Sequence, residues 1–283
     1  MPPAPRRTSS GRTPSGRDRR TYDPRRVRRA LINQVEAVTD AARRLSPDQH
    51  SLPAGLPGWD VHHLLVHLAL QIDAVPRALG RPETEVAALS ARPPQVSLSR
   101  WALSTASLAG TLDEDTRTEA AASGDGPARI DQAVADLEPV IESAVREDLL
   151  IPHPFGTMRM LDFTVTRLIE LVVHSDDLAR ATGVRVALDR QATAATARVL
   201  ADALAAKAPG GSVEVRVPPF AVVQAVEGPR HTRGTPPNVV EADPLTWIRL
   251  ATGRLAWADV VGSGRLSASG ERADLSELLP VLG

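Results

Sequence analysis

Apolar residues recur every three to four positions in four stretches of the first 185 residues. This period is typical of amphipathic helices, which bury one face and expose the other. The predicted helices begin after Pro24 and continue at about 61–81, 127–149 and 160–182. Gly183 follows the last of them, at the position where a glycine commonly ends a helix. The pattern therefore predicts a four-helix bundle in the N-terminal part of the chain.

The second predicted helix has a recognisable start. Asp60 is a good N-cap, and Trp59 and Leu64 are spaced for a hydrophobic staple. Residues 82–128 show no clear period and are predicted to be connections, apart from one helix around 98–112.

Beyond residue 185 the pattern changes to that of a small α/β module. Short alternating or apolar runs appear, as expected for strands. The predicted elements are an alanine-rich helix at 190–207, strands at 212–217 and 220–226, a strand at 239–242, a helix capped by Asp243, a strand at 265–270 and a terminal helix at 273–282. A loop is predicted at 151–158, between the third and fourth helices of the bundle.

These elements predict an α+β fold class with two domains. The helical bundle is expected to cover residues 23–185 and the α/β module residues 186–283. Residues 1–22 are rich in Arg, Pro and Ser, with too little apolar surface to fold, so a disordered tail is expected. The alternative for this tail is an electrostatic arm that binds nucleic acid or an acidic partner.

Composition narrows the classes of function. The net charge of −1 argues against a nucleic-acid surface on the folded part. No apolar run approaches the roughly 18 to 20 residues that span a bilayer, and the charged N-terminus lacks a following apolar region, so a cytoplasmic protein is expected. The chain has no Cys, which excludes Cys-ligated zinc and a protein thiol nucleophile. Any thiol chemistry would need a thiol from a co-substrate.

Three polar residues in apolar surroundings form the candidate site. Glu170 and His174 are four residues apart on one predicted helix and therefore share a face. His67 lies in the apolar second helix. Burying such groups is costly unless they are paired or bound. Two imidazoles and one carboxylate would suit Zn²⁺, and also Fe²⁺, Ni²⁺ or Mn²⁺, with a coordination position left open.

Other interpretations of these residues stay open. Glu170 and His174 could be a buried polar pair satisfied by Arg167, by Asp177 or by a backbone partner, because this spacing is common. His63 is also four residues from His67, so the second helix could supply either histidine or both. We favour His67, since His63 lies in the first turn of its helix.

Four further polar or aromatic positions are weaker candidates. Asp176 and Asp177 could orient a ligating histidine, although acids near a helix end are more often solvated. Trp59 is better explained as an anchor at the helix start. His153 lies in a predicted loop near the fourth helix, and a role in the site is less favoured than a structural one.

Two sequence segments resemble a known family. The run LPGWDVHHLLVHL, at 56–68, resembles a signature of the mycothiol-dependent maleylpyruvate isomerase family, within the wider DinB-like superfamily. The run RLIELVVHSDDLARATG, at 167–183, is similar to the helix of that family that carries a glutamate and a histidine. The C-terminal stretch from Glu241 is similar to sterol-carrier-like modules that follow such bundles.

The resemblance implies a four-helix bundle that binds a divalent metal through His67, Glu170 and His174. It also implies mycothiol as co-substrate, with its sulfur at the metal. In the isomerase the thiol adds to an activated double bond, the adduct rotates and the thiol leaves. An arginine of the C-terminal domain assists the acidic substrate there, and Arg254, followed by Arg249, is the candidate in this chain.

Three classes of function are compatible with the sequence. The leading hypothesis is a metal-dependent, mycothiol-assisted isomerase or thiol transferase, monomeric or homodimeric, that acts on a small electrophile. The second is a sterol- or lipid-carrier-like binding protein with a structural or vestigial metal site, which predicts an apolar cavity lined by 220–226 and the alanine-rich helix. The third, an interaction protein that uses its Arg-rich tail, has no motif behind it.

Overall fold

The structure is a computed structural model that describes residues 20–81, 93–229 and 236–282. Most of the expected disordered tail, the connection at 82–92 and the turn-rich stretch at 230–235 lie outside the described residues. At the end of the tail, the Nε–H of Arg20 is shared between the two carboxylate oxygens of Asp202, at 2.8 and 2.9 Å.

Six helices form the N-terminal part of the described chain. They are α1 Pro24–Arg43, α2 Val61–Leu79, α3 Leu98–Ser104, α4 Ala109–Ala122, α5 Gly126–Leu137 and α6 Met160–Thr182. Helices α1, α2, α5 and α6 pack against one another as a four-helix bundle, as the hydrophobic pattern predicts. The carboxylate of Asp60 accepts a hydrogen bond from the backbone N–H of His63 and caps α2. Gly183 ends α6 with a φ of +71°, in the left-handed region that favours glycine.

Two predicted helices have different bounds in the structure. The third helix of the bundle ends at Leu137 and not near residue 149, because Pro139 has no N–H to donate, and the chain continues as a 3₁₀ turn at Glu138–Val140. The helix predicted around 98–112 is divided into α3 and α4 by a short 3₁₀ turn. Helix α4 then continues to Ala122, through a stretch that we expected to be a connection.

The loop predicted at 151–158 is a β-hairpin. Strands β1 Leu150–His153 and β2 Gly156–Arg159 pair antiparallel across a two-residue turn. Gly156 has a φ of +130°, which only glycine adopts readily. The prolines on both sides of His153 obscure the strand pattern in the sequence, and the hairpin fixes His153 at the end of a strand.

The C-terminal part is a four-stranded sheet with helices. Its elements are α7 Arg190–Lys207, β3 Val213–Val217, β4 Ala221–Ala225, β5 Val239–Ala242, α8 Pro244–Ala251, α9 Trp257–Gly262 and β6 Leu266–Ser269. The strand order is β4-β3-β5-β6, with β3 and β5 parallel and the other pairs antiparallel. The predicted terminal helix is only a 3₁₀ turn at Ser276–Leu278, because Pro280 interrupts the short segment.

Helix α7 joins the two parts of the fold. One side packs against α1, α3 and α6, and another packs against β4 and α8. Alanines fill the contact on both sides, including Ala192, Ala195, Ala197, Ala201 and Ala203. Small side chains let neighbouring backbones approach closely, so the bundle and the sheet share one hydrophobic core. None of the described helices is long and apolar enough to cross a membrane.

Candidate functional site

Helices α2 and α6 bring the three predicted ligands together. His67 of α2 and Glu170 and His174 of α6 are all buried, and one donor atom from each lies within 4.8 Å of the others. The Nε2 atom of His174 is 3.3 Å from Oε2 of Glu170. Two ligands of a tetrahedral zinc ion are separated by about 3.4 Å, given metal–ligand distances of about 2.1 Å. We refer to these three residues as the triad.

The tautomer of His67 follows from its hydrogen bonds. The Thr116 hydroxyl donates to the carbonyl of Leu112 at 2.7 Å. Its oxygen can therefore only accept from His67 Nδ1, which lies 3.1 Å away. This arrangement places the proton on Nδ1, so Nε2 carries the lone pair, which accepts a hydrogen bond from the Gln71 amide at 3.1 Å. Thr116, which belongs to α4, thus prepares His67 as a ligand through the nitrogen that faces Gln71.

The second histidine is oriented by a carboxylate. Nδ1 of His174 lies 3.0 Å from Oδ2 of Asp177, so Nε2 is directed to Glu170. The Arg254 guanidinium donates to the same Asp177 oxygen at 2.9 Å. A carboxylate behind a ligating histidine is the common outer partner in metal sites. Asp177 therefore connects the triad to the C-terminal part of the chain.

Burial and charge set the protonation states of the triad. Burial, together with the neighbouring His174, lowers the pKa of His67 to about 3. Burial would also lower the pKa of His174, but its bonds to Asp177 and Glu170 outweigh that effect and raise the pKa. For Glu170, burial opposes ionisation, yet the bond from His174 and nearby positive charges hold the pKa of the carboxyl well below its usual range. Glu170 is thus ionised and His67 neutral, as metal ligands must be.

Arg167 and Gln71 form a polar chain beside the triad. Gln71 Nε2 lies 3.1 Å from His67 Nε2, and its amide oxygen accepts a short hydrogen bond from Arg167. The Arg167 guanidinium carbon stands 5.0 Å from the centre of the Phe163 ring and 6.0 Å from that of Trp101. Sequence reasoning named Arg167 only as a partner for Glu170. The actual partner, Gln71, is four residues from His67, a spacing that could have indicated it.

Two cavities meet at the triad. The larger, about 740 Å³, is lined by His67, Gln71, Arg167 and Glu170, together with Trp101 and His153. The smaller, about 450 Å³, is lined by the triad, by Trp59 and by Arg254 and Leu282 of the C-terminal part. His67 and Glu170 line both cavities. The triad therefore has access from two sides, which suits a site for two reactants.

The weaker sequence candidates have separate places. Nδ1 of His63 bonds to Asp60 at 2.6 Å, and His63 lines neither cavity. The Trp59 ring centre lies 5.0 Å from that of His67, and its Nε1–H donates to Asp113. Trp59 therefore covers the triad and is more than an anchor of its helix.

The remaining candidates lie at the edges of the site. Asp176 is buried and forms a two-pronged ion pair with Arg249, at 2.6 and 2.8 Å, so it is not solvated. Arg249 lines neither cavity, whereas Arg254 lines the smaller one. His153 lines the larger cavity, where burial, assisted by the charge of Arg167, lowers its pKa to about 4.

Comparisons with known proteins agree with this architecture. A family model described as the mycothiol maleylpyruvate isomerase N-terminal domain matches residues 31–179, and one described as a bacterial SCP ortholog matches residues 189–281. No curated protein matches the sequence at a significant level.

A crystal structure of the mycothiol-dependent maleylpyruvate isomerase is similar to this chain, with a TM-score of 0.57 and 14% identity. The alignment covers 89% of this chain and 95% of that one. A histidine-to-alanine mutant of that isomerase aligns with the same values. At this identity the likeness shows the fold, which is the α+β fold predicted from the sequence. Because the first family model covers more than half of the sequence, the chain belongs to the mycothiol maleylpyruvate isomerase N-terminal domain family.

Proposed function

We propose that this protein is a divalent-metal-dependent, mycothiol-assisted isomerase or thiol transferase that acts on a small electrophile. His67, Glu170 and His174 would hold the metal. The observation that carries the proposal is the convergence of three buried donor groups at the meeting point of two cavities. Family membership supports mycothiol as the thiol and a maleylpyruvate-like compound as the electrophile.

The donor set fits a zinc-type ion. Two imidazoles and one carboxylate leave at least one coordination position for a reactant. A cation held there would lower the pKa of a coordinated thiol, so that the nucleophilic thiolate is present at neutral pH. Since the chain itself has no Cys, that thiol has to come from a small molecule.

The surrounding residues have supporting roles in this proposal. Thr116 holds the proton on Nδ1 of His67, and Asp177 orients His174. The walls of the smaller cavity are mostly apolar and include Leu56, Val173 and Leu282. Arg254 stands in that cavity beside His174 and would stabilise negative charge that develops on the electrophile. Arg249, the second candidate, is paired with Asp176 and lines neither cavity, so Arg254 is the preferred arginine.

Metal content is the first test of the proposal. Elemental analysis of the purified protein should find about one zinc or similar ion per chain, and His174→Ala should lose it because a direct ligand is gone. The matched control is His63→Ala, which removes a histidine of α2 that lines neither cavity and should keep the metal. A parent protein that takes up no metal after incubation with Zn²⁺ would refute the proposal.

Turnover then separates the proposed enzyme from a carrier. The zinc-loaded protein should isomerise maleylpyruvate, or conjugate it, only when mycothiol is present. Helix α7 and strand β4 pack directly against each other through buried alanines, where the carrier alternative predicted an apolar cavity. Saturable binding of a sterol or fatty acid, without thiol-dependent turnover, would favour that alternative.

A further inference from the structure

Arg167 has an unusual environment for a largely buried arginine. Its guanidinium bonds only to neutral groups, the amide oxygen of Gln71 and the hydroxyl of Thr166. Within the described ranges no carboxylate lies at ion-pair distance from it. The other arginines near the site differ, because Arg249 and Arg254 each bond to an aspartate. A buried cation without a counter-ion is costly to the folded protein.

The position of this guanidinium is fixed before any ligand binds. Phe163 and Trp101 lie within 6.0 Å of it, at distances typical of cation–π contacts, and Gln71 holds one of its nitrogens. Arginine stays protonated at physiological pH even when buried. The larger cavity beside the triad therefore contains a preorganised positive charge.

Glu170 interacts with this charge through space, and Arg167 helps to hold the pKa of the Glu170 carboxyl low, but the two side chains form no hydrogen bond or ion pair. The Glu170 carboxylate lies 3.3 Å from His174 and belongs to the proposed metal site. Among the described residues no carboxylate bonds to Arg167, so a bound anion could become its direct partner. We propose that Arg167 receives a carboxylate of the electrophilic substrate in the larger cavity.

A carboxylate is the anion that the proposed electrophile, a maleylpyruvate-like compound, would bring to this guanidinium. The planar guanidinium fork matches a carboxylate with two parallel hydrogen bonds. In contrast to Arg254, whose guanidinium is already bonded to Asp177, Arg167 can bind a carboxylate without breaking an ion pair. The inference rests on the proposed function in one respect, because it takes the carboxylate to belong to the electrophile that reacts at the triad.

Calorimetric titration of the zinc-loaded protein with maleate, and with its neutral diamide, tests the inference. Arg167→Gln should raise the Kd for maleate about 10- to 100-fold, the range expected for a lost charged hydrogen bond, and leave diamide binding unchanged. Arg167→Lys keeps the positive charge, so its affinity for maleate should fall less than that of Arg167→Gln. The control Arg77→Gln removes an exposed arginine from the same cavity and should bind maleate as the parent does.

Several outcomes would overturn the inference. An equal maleate Kd in the parent and in folded, zinc-loaded Arg167→Gln would do so, and so would a parent that binds no maleate. If the glutamine variant does not fold, the comparison rests on Arg167→Lys, for which an unchanged Kd would equally overturn the inference. Thermal unfolding and zinc content establish that each variant is intact.

Turnover distinguishes this inference from the proposed function. A parent without thiol-dependent turnover of maleylpyruvate, but with maleate binding that depends on Arg167, would refute the function and leave the carboxylate site. A parent that turns over maleylpyruvate, with an unchanged KM in Arg167→Gln, would refute the carboxylate site and leave the function.

Discussion

At the scale of single residues, hydrogen bonds behind the ligands decide how well the triad can bind a metal. Thr116 fixes one imidazole and Asp177 fixes the other, each through Nδ1. Asp177 could be suspected from its place three residues after His174, whereas Thr116 lies outside the segments that resemble the family and nothing in the sequence marks its role. The ligands themselves could be predicted because each interrupts an apolar helix face.

Asp177→Asn should weaken metal binding about 10- to 100-fold, the usual effect of removing an outer partner of a ligating histidine. The amide keeps the shape of the side chain but removes the charge that supports His174. Competition with a chromophoric chelator would measure the affinity. Asp176→Asn is the matched control, because Asp176 bonds to Arg249 and to neither histidine, and it should keep the parent affinity. An unchanged affinity in Asp177→Asn would contradict the role given to this carboxylate.

Metal binding should weaken as the pH falls, chiefly through His174. Burial lowers the pKa of this residue, but bonds to Asp177 and Glu170 more than compensate, so the pKa lies above its usual value in the metal-free protein. Above that pKa the imidazole is neutral and the affinity is full. Below it a proton competes, and the affinity should fall by about tenfold per pH unit. His67, with a pKa of about 3, adds no dependence at neutral pH.

Zinc titrations between pH 5 and 8 would measure this dependence. Repeating the titrations in buffers of different ionisation enthalpy would measure the protons released on binding. An affinity that stays constant over this range would contradict a protonated His174 in the metal-free protein.

At the scale of helices and strands, the period of the apolar residues predicted the helices that pack in the core. It missed the helix ends and turns that depend on proline and on local backbone geometry. Helices α1, α2, α6 and α7 follow the apolar pattern closely. Pro139 ends α5 early, and the proline-rich hairpin at β1 and β2 carries no alternating signal. The 3₁₀ turn before α4 depends on tertiary packing, which a single sequence does not contain.

Gly183→Ala should destabilise the protein by roughly 1–2 kcal/mol, because an L side chain is strained at a φ of +71°. Gly110→Ala is the matched control. It lies in α4 without a positive φ, and a Cβ there would meet nothing within 4 Å, so alanine should stabilise by up to about 1 kcal/mol. Urea unfolding of both variants measures the difference. Equal effects in the two variants would contradict the conformational argument.

At the scale of the whole molecule, the C-terminal part completes the site that the bundle begins. Arg254 and Leu282 line the smaller cavity, and Arg254 bonds to the aspartate behind His174. The sequence predicted the helical bundle and the α/β module separately, and the family resemblance suggested that an arginine of the α/β module assists the substrate. Contacts between elements distant in the chain had to come from the structure.

Arg249→Ala should lower the free energy of unfolding by about 2–3 kcal/mol. It leaves the buried Asp176 carboxylate without the partner that ties α8 to α6, and the partial exposure of Arg249 keeps the loss below that of a fully buried pair. Chemical denaturation would measure it. Asp176→Asn combined with Arg249→Ala should recover part of the loss, since no charge is then left unpaired. A double variant as unstable as the single one would contradict this explanation.

Helix α7 limits how the helical bundle and the α/β module can be recombined with those of other proteins. The first family match ends at residue 179 and the second begins at residue 189, which suggests a domain boundary at which the two modules could be recombined. Yet α7, which begins just after that boundary, packs its alanines against the bundle on one side and against the sheet on the other. A module transplanted from a relative brings a foreign α7 against a native bundle, and any larger side chain there overfills the shared core. In this lineage the bundle and the module are therefore expected to have evolved together, with α7 matched to both.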